Sequence, residues 1–540
     1  MSHQAMTATS AHSEIRARVR PALEGFFAVE RESTRTHVPL VLTLAADTET
    51  PVGLFHKLAG ARPGSFLLES AHASGRWSFV GFDVARTITT AEGGLDPLEL
   101  VAQELARTTL HVAHDARELP PFLGGAVGFV GYDAVRAFEH VPLAATRTLD
   151  IPEAALFVTD ELAAFDHLRG LLHLIVLAPL GGDRARTYDR TLARLAALEA
   201  RLETPGPRPR THRPAPPLPR TQSRTSQSAF EQAVRRAQAA IEAGEIFQVV
   251  LSQRHTVEAS VEPLALYRAL RALNPSPYMF LLRFATHAVV GASPETLVQV
   301  TRATDEASAR PGEDAPLVAR VRPIAGTRPR GATPREDSEL ARELALDEKE
   351  LAEHRMLLDL GRNDVGRVAK LGSVRVERER AIERYSHVMH LVSDVSGTLA
   401  PGKTALDAFR AAFPAGTVSG APKIRAMELI AALEPERRGL YAGAVGYFGF
   451  DGQSDTCIAI RTVLVEPHRC HVQAGAGIVL DSVPALEHAE CLAKARGPLT
   501  AIAMALEDCQ GSTVRDTETS SAPPASALPE PELSSSQVTS

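Results

Sequence analysis

Apolar residues in the first two hundred positions fall mainly into short runs that are typical of β-strands. The runs are VPLVLTLAA, GSFLLESA, RWSFVGF and LLHLIVLA, whereas TYDRTLARLAALEARLE repeats its apolar residues at helical spacing. Strands and helices do not alternate regularly along this part of the chain. The pattern therefore predicts an α+β fold rather than a doubly wound parallel sheet.

The second half of the chain adds longer helices to further strands. AFEQAVRRAQAAIEAGE has apolar residues at helical spacing and ends at a glycine, and IFQVVLSQRHTV follows as a strand. One long helix is predicted over DSELARELALDEKELAEHRMLLDLGRNDVGRV, with a break near Gly361. YAGAVGYFGF, DTCIAIRTVLV and HVQAGAGIVL are then predicted strands, and SVPALEHAECLAKARGPLTAIAMAL is the predicted final helix.

Low-complexity segments divide the chain. The Pro- and Arg-rich stretch at 203–228 favours extended backbone without regular hydrogen bonds, and we interpret it as an exposed linker. It separates an N-terminal lobe (21–202) from a larger C-terminal lobe (229–507). Residues 1–20 are predicted to be a disordered tail, as are residues 508–540, which are rich in Ser, Thr, Pro and Glu.

Charge and cysteine content exclude several functional classes. The chain has 540 residues with 58 Lys and Arg and 65 Asp and Glu, a net charge of −7, so neither nucleic acid nor an anionic membrane is expected as the main partner. The four cysteines form no Cys-x-x-Cys pair, which fits a reducing compartment. The sequence has no apolar run long enough to cross a bilayer and no secretory signal, so we expect a cytoplasmic protein.

A nucleotide-binding pattern occurs at 397–404, where GTLAPGKT matches G-x-x-x-x-G-K-[ST]. Pro401 removes one of the N–H groups that such a loop directs at phosphate, and no apolar strand ending in a metal-binding aspartate follows. A strand-to-helix turn is the simpler interpretation. A nucleotide-binding switch is the alternative from a different functional class.

Two helical glutamates and several small-residue strings suggest an anionic substrate held with a divalent cation. Glu353 in DEKELAEHRMLLDL and Glu490 in ALEHAECLAK can hold Mg²⁺ if their helices face one cavity. GAGI (475–478) and RPIAGTRPRG (322–331) offer backbone N–H groups that a carboxylate can approach, and Arg461 can pair with a carboxylate. Each feature alone is more often a solvated charge or a plain turn. Residue chemistry therefore indicates an enzyme that acts on a carboxylated substrate, but it does not identify that substrate or the reaction.

A series of sequence blocks resembles the chorismate-utilising enzyme family. The resemblance implies a two-lobed α+β fold in which two large sheets pack around an active-site cleft with helices outside, and it places the catalytic, chorismate-binding lobe at 229–507. The nucleotide-like pattern falls inside one block, which weakens that alternative. In chain order the blocks are SFLLESA, RWSFVG, NPSPYMF, GASPE, RPIAGTRPRG, ELAEHRMLLDLGRNDVGRV, ERYSHVMHLVSDVSGTL, AFPAGTVSGAPKIRAME, YAGAVGYF, CIAIRT and QAGAGIVLDSVP.

The resemblance also implies roles for individual residues. Glu353 and Glu490 match the Mg²⁺ ligands, and Glu295 of GASPE matches an acid that protonates a departing hydroxyl. His390 of VMHLVS matches a residue that assists elimination or orients the ring. The residues that match the substrate-binding positions are Gly326, Thr327, Tyr441, Arg461, Gly475, Ala476, Gly477 and Lys494.

Two positions indicate which reaction of the family to expect. Members that use water carry a lysine base where this chain has Gln248, and members that make aminodeoxychorismate carry a lysine nucleophile where this chain has Ala325. Both differences favour the reaction of chorismate with ammonia that gives anthranilate and pyruvate, the first step of the tryptophan branch. Aminodeoxychorismate synthase component I and isochorismate synthase are the close alternatives, and a catalytically silent, tryptophan-sensing partner is a further one.

The resemblance further implies an inhibitor and a partner. Ser70 in LLES, with Pro277, Tyr278 and Met279 in NPSPYM, matches a feedback site for tryptophan. No glutaminase signature follows the last block, so a separate glutamine amidotransferase subunit is expected to supply ammonia within a hetero-tetramer. The polar insertion at 301–320 is expected to form an exposed excursion.

Overall fold

The computed structural model describes residues 15–29, 34–71, 75–91, 93–112, 119–207, 214–303, 315–384 and 388–518, with side chains as far as residue 508. Within these residues the chain forms two large antiparallel sheets with helices packed on their outer faces. The predicted α+β class with two large sheets is confirmed.

The strands in chain order are β1 (Val19–Arg20), β2 (His37–Ala45), β3 (Ser65–Glu69), β4 (Trp77–Gly81), β5 (Arg86–Thr90), β6 (Gly125–Val130), β7 (Ala154–Thr159), β8 (Glu161–Asp166), β9 (Leu171–Pro179), β10 (Gln222–Ser223), β11 (Gln248–Glu258), β12 (Tyr278–Arg283), β13 (Ala288–Ser293), β14 (Thr296–Arg302), β15 (Leu317–Val321), β16 (Ile324–Pro329), β17 (Arg375–Arg384), β18 (Val388–Thr398), β19 (Gly420–Ala421), β20 (Ala444–Gly449), β21 (Ser454–Ile458), β22 (Thr462–Val465) and β23 (Arg469–Ile478).

The α-helices in chain order are α1 (Leu23–Ala28), α2 (Pro51–Leu58), α3 (Pro97–Leu105), α4 (Arg184–Arg201), α5 (Gln227–Glu242), α6 (Pro263–Leu273), α7 (Pro334–Leu346), α8 (Glu348–Gly366), α9 (Ala405–Ala412), α10 (Lys423–Leu433) and α11 (Pro484–Glu518). Short 3₁₀ helices cover Tyr132–Ala137 and Gly416–Val418.

Both sheets contain strands from either side of the 203–228 segment. The thirteen-stranded sheet has the order β1-β2-β9-β8-β4-β3-β12-β13-β22-β23-β11-β10, with β19 beside β11. The ten-stranded sheet has the order β16-β18-β15-β14-β21-β20-β6-β7-β5, with β17 beside β18. The segments join where β3 pairs with β12 and where β6 pairs with β20. A division of the chain into lobes at 21–202 and 229–507 therefore cuts through both sheets.

An aromatic core holds the two sheets together. Phe66 of β3 and Phe280 of β12 come from the first sheet, and Phe129 of β6 and Phe157 of β7 come from the second; all four belong to one buried cluster. The rings of Phe66 and Phe157 stack with centroids 6.4 Å apart. Each fully buried aromatic side chain contributes roughly 1.5–3 kcal/mol through removal of apolar surface from water. This core fixes the relative position of strands that are distant in sequence.

Three predicted boundaries are wrong. The predicted tail at 1–20 includes Val19 and Arg20, which pair with Leu42 and Val41 as β1 and β2. The predicted linker includes β10, which pairs with β11, and the start of α5. The final helix continues to Glu518, past the boundary at 508. A two-residue strand is too short to show an alternating hydrophobic pattern. Only its hydrogen bonds to a distant partner strand reveal it. Residues 1–14 and 519–540 of the two predicted tails lie outside the described residues.

The long helix predicted over the DSEL to VGRV segment breaks at Asp347, not near Gly361. Asp347 has extended backbone angles, and its carboxylate accepts hydrogen bonds from the N–H groups of Lys349 and Glu350 at 3.0 Å each. It therefore ends α7 and caps α8. Gly361 lies inside α8, where a Cβ would be 3.1 Å from side-chain atoms of Pro323 and Val321. This glycine allows close packing and does not end the helix.

The segment with the nucleotide-like pattern is a strand, a turn and a helix. Gly397 lies in β18, and Thr404 caps α9 in a reciprocal capping box with Asp407. The Thr404 hydroxyl and N–H are therefore already engaged by a carboxylate. This arrangement favours the turn interpretation over phosphate binding.

The two ends of the insertion at 301–320 pair with each other in the antiparallel strands β14 and β15. Arg302 at the end of β14 lies opposite Leu317 at the start of β15. Residues 304–314, the middle of the predicted excursion at 301–320, lie outside the described residues. Among the helices that are described, none has the length and apolar character that a membrane span requires.

Candidate active site

Gly326, Thr327 and His390 come together where β16 pairs with β18. Thr327 lies opposite His390, and the register shifts at Gly326, whose φ of +73° favours glycine. The Nδ1 atom of His390 is 3.0 Å from Thr327 Oγ1 and 3.1 Å from the Gly326 carbonyl oxygen. Burial lowers the pKa of His390, so its ring is neutral at pH 7. Since a carbonyl only accepts, Nδ1 carries the proton and Nε2 keeps its lone pair.

Arg461 lies where the chain passes from β21 in one sheet to β22 in the other. Its φ is +51°, the left-handed region that non-glycine residues rarely occupy and that is often found at functional sites. Its Nη1 donates to the Lys494 carbonyl at 3.4 Å. Burial lowers the pKa of Arg461, while Tyr441 and Glu490 raise it. The guanidinium keeps its charge and can pair with a carboxylate.

Gly475 and Gly477 lie in β23 beyond its last residue paired with β22, which is Val472. The Nζ atom of Lys494 donates to the Gly475 carbonyl at 3.0 Å, on the side away from β11. Because the N–H and C=O of a strand residue point to one side and alternate residues repeat that direction, both glycine N–H groups point there too. A Cβ on Gly475 would be 2.7 Å from the Tyr441 hydroxyl, so the phenol lies directly against this backbone.

Ala476 differs from its two glycine neighbours. Its side chain is completely buried in the apolar core. Successive residues of a strand alternate in direction, so the Ala476 side chain faces the core while its N–H and C=O point towards Leu251 of β11, opposite to those of the two glycines. The predicted role of this residue is restricted accordingly.

Gln248 links the glycine strand to helix α8. A Cβ on Gly477 would be 2.6 Å from Gln248 Nε2, so the amide lies against this glycine. The same side chain hydrogen-bonds to the Glu353 carboxyl and lowers its pKa. An amide at this position is neutral and hydrogen-bonds to the Glu353 carboxyl without acting as a strong base.

The acidic residues have the chemistry of a cation site. Burial raises the pKa of Glu353, and the nearby carboxylates of Glu350 and Glu490 raise it further. Glu490 forms an ion pair with Lys494 at 2.6 Å. Carboxylates that repel one another suit a divalent cation, which relieves the repulsion. Within the described part of the chain, no group of three or more His, Cys, Asp or Glu side chains is assembled as a metal site, so a cation on Glu353 and Glu490 needs further ligands from water or substrate.

Glu295 lies in the turn between β13 and β14, and its carbonyl accepts a hydrogen bond from the Ile458 N–H at 3.0 Å. Burial raises the pKa of its carboxyl to about 7, although the Thr417 hydroxyl and the Lys494 ammonium both act to lower it. A carboxyl with this pKa is substantially protonated at neutral pH. It is therefore a suitable general acid.

Electrostatic interactions connect these groups across one cleft. The charge of Arg461, in the connection between the two sheets, lowers the pKa of His390 in β18. The charge of Glu490 acts on the pKa of Arg461 and on that of Glu353. The two sheets and the helices α8 and α11 thus bring the predicted catalytic, substrate-binding and metal-binding residues to the same region.

A separate cavity of about 380 Å³ is lined by the four residues matched to the feedback site. Ser70, Pro277, Tyr278 and Met279 all line it, because β3 and β12 are neighbours in the first sheet. The Tyr278 hydroxyl is 2.9 Å from both Asp455 Oδ1 and Thr296 Oγ1. Since Thr296 follows Glu295, one wall of this cavity is continuous with the turn that carries the candidate acid.

Sequence reasoning missed two contributors to the site. Thr417, which acts on the Glu295 carboxyl, lies inside the block AFPAGTVSGAPKIRAME, but no motif marks it out. Arg438 and Glu434 form a buried ion pair directly behind Tyr441. A charged pair after a helix is usually solvated, so its burial is visible only in the fold.

Comparisons with known proteins agree with this geometry. The model of the family described as "chorismate binding enzyme" matches residues 64–500. Anthranilate synthase component 1 of Streptomyces coelicolor is 46% identical over 507 residues, covering 92% of this chain and 94% of the relative. The Thermus thermophilus protein of the same name is 47% identical, covering 86% and 98%.

Solved structures give the same result. Anthranilate synthase component I from Streptococcus pneumoniae TIGR4 has a TM-score of 0.66 at 38% identity, covering 79% of this chain and 93% of that one. The menaquinone-specific isochorismate synthase MenF from Escherichia coli has a TM-score of 0.65, covering 92% and 99%, and at 19% identity it shares the fold. The chain under study therefore belongs to the chorismate-binding enzyme family.

Proposed function

We propose that this chain is the chorismate-converting component of an anthranilate synthase, which forms anthranilate and pyruvate from chorismate and ammonia. One observation carries the proposal. A half-protonated Glu295 faces the same cleft as two basic side chains, Arg461 and Lys494, and a neutral His390. The similarity to proteins named anthranilate synthase component 1 supports the same reaction.

The substrate is a dicarboxylate, and the cleft offers matching charges. Arg461, Lys494 and the N–H groups of Gly475 and Gly477 bind its carboxylates. Thr327 and Tyr441 complete the substrate contacts with their hydroxyls, and Gly326 keeps the backbone close. Mg²⁺, when bound by Glu353 and Glu490, supplies positive charge for the ring carboxylate. Removing water from this cleft strengthens each interaction.

Glu295 protonates the C4 hydroxyl, which leaves as water while ammonia adds at C2. Hydroxide is a poor leaving group, so this proton transfer lowers the barrier. Gln248 cannot deprotonate a nucleophile, and neutral ammonia does not require it. His390, a neutral ring protonated at Nδ1, assists the later elimination of pyruvate or orients the ring.

A partner and an inhibitor complete the proposal. The relatives' name "component 1" supports a second component, for which we propose a glutamine amidotransferase in a cytoplasmic hetero-tetramer. We also propose that tryptophan binds the cavity lined by Ser70, Pro277, Tyr278 and Met279 and inhibits the reaction. This cavity is next to the turn that carries Glu295, so a bound inhibitor could directly affect the position of the candidate acid.

The test uses the purified chain with chorismate, Mg²⁺ and an ammonium salt at mildly alkaline pH. Anthranilate fluorescence and pyruvate release should rise together and depend on Mg²⁺, whereas glutamine without a partner should not replace ammonium. Chorismate consumption without pyruvate would instead assign the chain to aminodeoxychorismate or isochorismate formation. Folded protein without any turnover would contradict the proposal.

A further inference from the structure

A buried ion pair lies behind the candidate active site. Arg438 and Glu434 are only 2% and 8% exposed. The guanidinium donates through Nε to Glu434 Oε2 at 2.9 Å and through Nη2 to Oε1 at 2.7 Å. Burial alone lowers the pKa of Arg438, but the paired carboxylate outweighs it and the net pKa is raised. The guanidinium therefore stays charged inside the protein.

The pair connects three pieces of backbone that are distant in sequence. Arg438 also donates to the carbonyls of Val418 and Val250, at 2.7 Å each. Glu434 Oε1 accepts from both the N–H and the hydroxyl of Ser252 at 2.8 Å. Strand β11, the 3₁₀ helix at Gly416–Val418 and the end of α10 are thus held to one another by side-chain hydrogen bonds.

Two groups that face the cleft are attached to this network. The guanidinium carbon of Arg438 is 5.5 Å from the centroid of the Tyr441 ring, whose hydroxyl lies against Gly475. Thr417 lines the same small cavity as Glu295 and precedes Val418, whose carbonyl accepts a hydrogen bond from Arg438. The ion pair itself does not need to touch substrate to affect both groups.

A buried ion pair is an inefficient source of stability, because desolvation of the two charges offsets their attraction. What four directed hydrogen bonds from a planar guanidinium do supply is geometric precision. We propose that Arg438 and Glu434 are positioning residues, which hold Tyr441 and the Thr417 segment in the geometry that the reaction at Glu295 requires. This inference rests on the proposed function.

The decisive variant is the double substitution Arg438→Met with Glu434→Gln. It removes both charges, keeps most of the buried volume, and leaves an amide oxygen to accept from Ser252. Arg438→Met alone leaves an unpaired buried carboxylate and should lower the Tm markedly, whereas the double variant should recover much of that loss. The effect of the ion pair on stability can thereby be measured separately from its effect on the position of the active-site groups.

In the ammonium-dependent reaction we expect the folded double variant to have kcat lowered by roughly 10- to 100-fold, because small misplacements of reacting groups are costly. KM for chorismate should change less than kcat, because Tyr441 is one of several proposed substrate contacts, and the proposed carboxylate ligands Arg461 and Lys494 are positioned by other elements, the β21–β22 connection and α11. Arg438→Lys, which keeps the charge and some of the hydrogen bonds, should restore part of kcat.

The pH profile gives a second measurement. Thr417 lowers the pKa of Glu295, so releasing it should move the alkaline limb of kcat to higher pH. Lys494 also acts on this carboxyl, and Arg322 and Asp364 line the same small cavity as Glu295 and Thr417; all three are unchanged in the variants.

The control is an ion pair outside the cleft whose arginine is likewise buried, although its glutamate is partly exposed. Arg283 donates to Glu262 and to the Gly60 carbonyl and lies over the Phe55 ring. Arg283→Met with Glu262→Gln should leave kcat, KM and the pH limb unchanged. Wild-type kinetics in the folded Arg438–Glu434 double variant would overturn the inference. An inactive wild-type chain would contradict the proposed function instead.

Discussion

Replacing Glu295 with glutamine should stabilise the folded chain at alkaline pH while it strongly slows the reaction. Burial raises the pKa of this carboxyl from 4.5 to about 7. The folded state therefore favours the protonated carboxyl, whose stabilising contribution is complete below pH 4.5 and is lost as the pH rises through about 7. An amide resembles the protonated form and never acquires the charge that burial penalises.

The magnitude follows from the difference between the two pKa values. A shift of that size costs the ionised carboxyl about 3 kcal/mol at pH 8 but only about 1 kcal/mol at pH 5. A chain of this size changes its Tm by roughly 1 °C per kcal/mol. Glu295→Gln should therefore raise the Tm by about 3 °C at pH 8 and by about 1 °C at pH 5.

Calorimetry at both pH values checks the stability, and anthranilate fluorescence checks the activity. We expect kcat to fall by roughly 10²- to 10⁴-fold, the usual contribution of a general acid. Glu339→Gln is the matched control, because that carboxylate is exposed on α7 and pairs with Arg335. A Tm shift of the same size at both pH values, or a lower Tm at pH 8, would refute the reasoning about burial.

Three further predictions concern the inhibitor, the substrate backbone and the cation. Ser70→Phe should occupy part of the 380 Å³ cavity and weaken tryptophan inhibition at least tenfold with little change in kcat; unchanged inhibition and unchanged tryptophan binding by calorimetry would contradict the assignment. Gly475→Ala places a Cβ 2.7 Å from the Tyr441 hydroxyl and 2.8 Å from the Leu251 carbonyl, so kcat/KM should fall by roughly tenfold or more, whereas Gly497→Ala, with no described atom within 4 Å of its Cβ, should retain wild-type kinetics. Glu353→Gln removes a charge from the acidic cluster and should raise the Mg²⁺ concentration for half-maximal activity by roughly tenfold or more; an unchanged Mg²⁺ titration would exclude Glu353 as a ligand.

The order and chemistry of the sequence blocks predicted much about this chain. Irregular alternation of strand-like and helix-like patterns predicted the α+β class, and the blocks predicted the family that the comparisons confirm. Local sequence patterns predicted the ends of helices and strands less accurately. The break at Asp347 was missed, because a capping aspartate within a run of charged helix formers resembles any other polar position.

The sequence by itself determined which chemical groups the chain carries: the candidate acid Glu295, the basic Arg461 and the amide of Gln248, where a lysine base would be expected in a member of the family that uses water. Only the tertiary structure decided their environment. The pKa of Glu295 depends on burial and on Thr417, which lies more than a hundred residues away along the chain. Likewise, β3 and β12 become neighbours only through a core that joins distant segments. Residue identity is local, whereas desolvation and electrostatic interaction depend on distance in space, and the fold sets that distance.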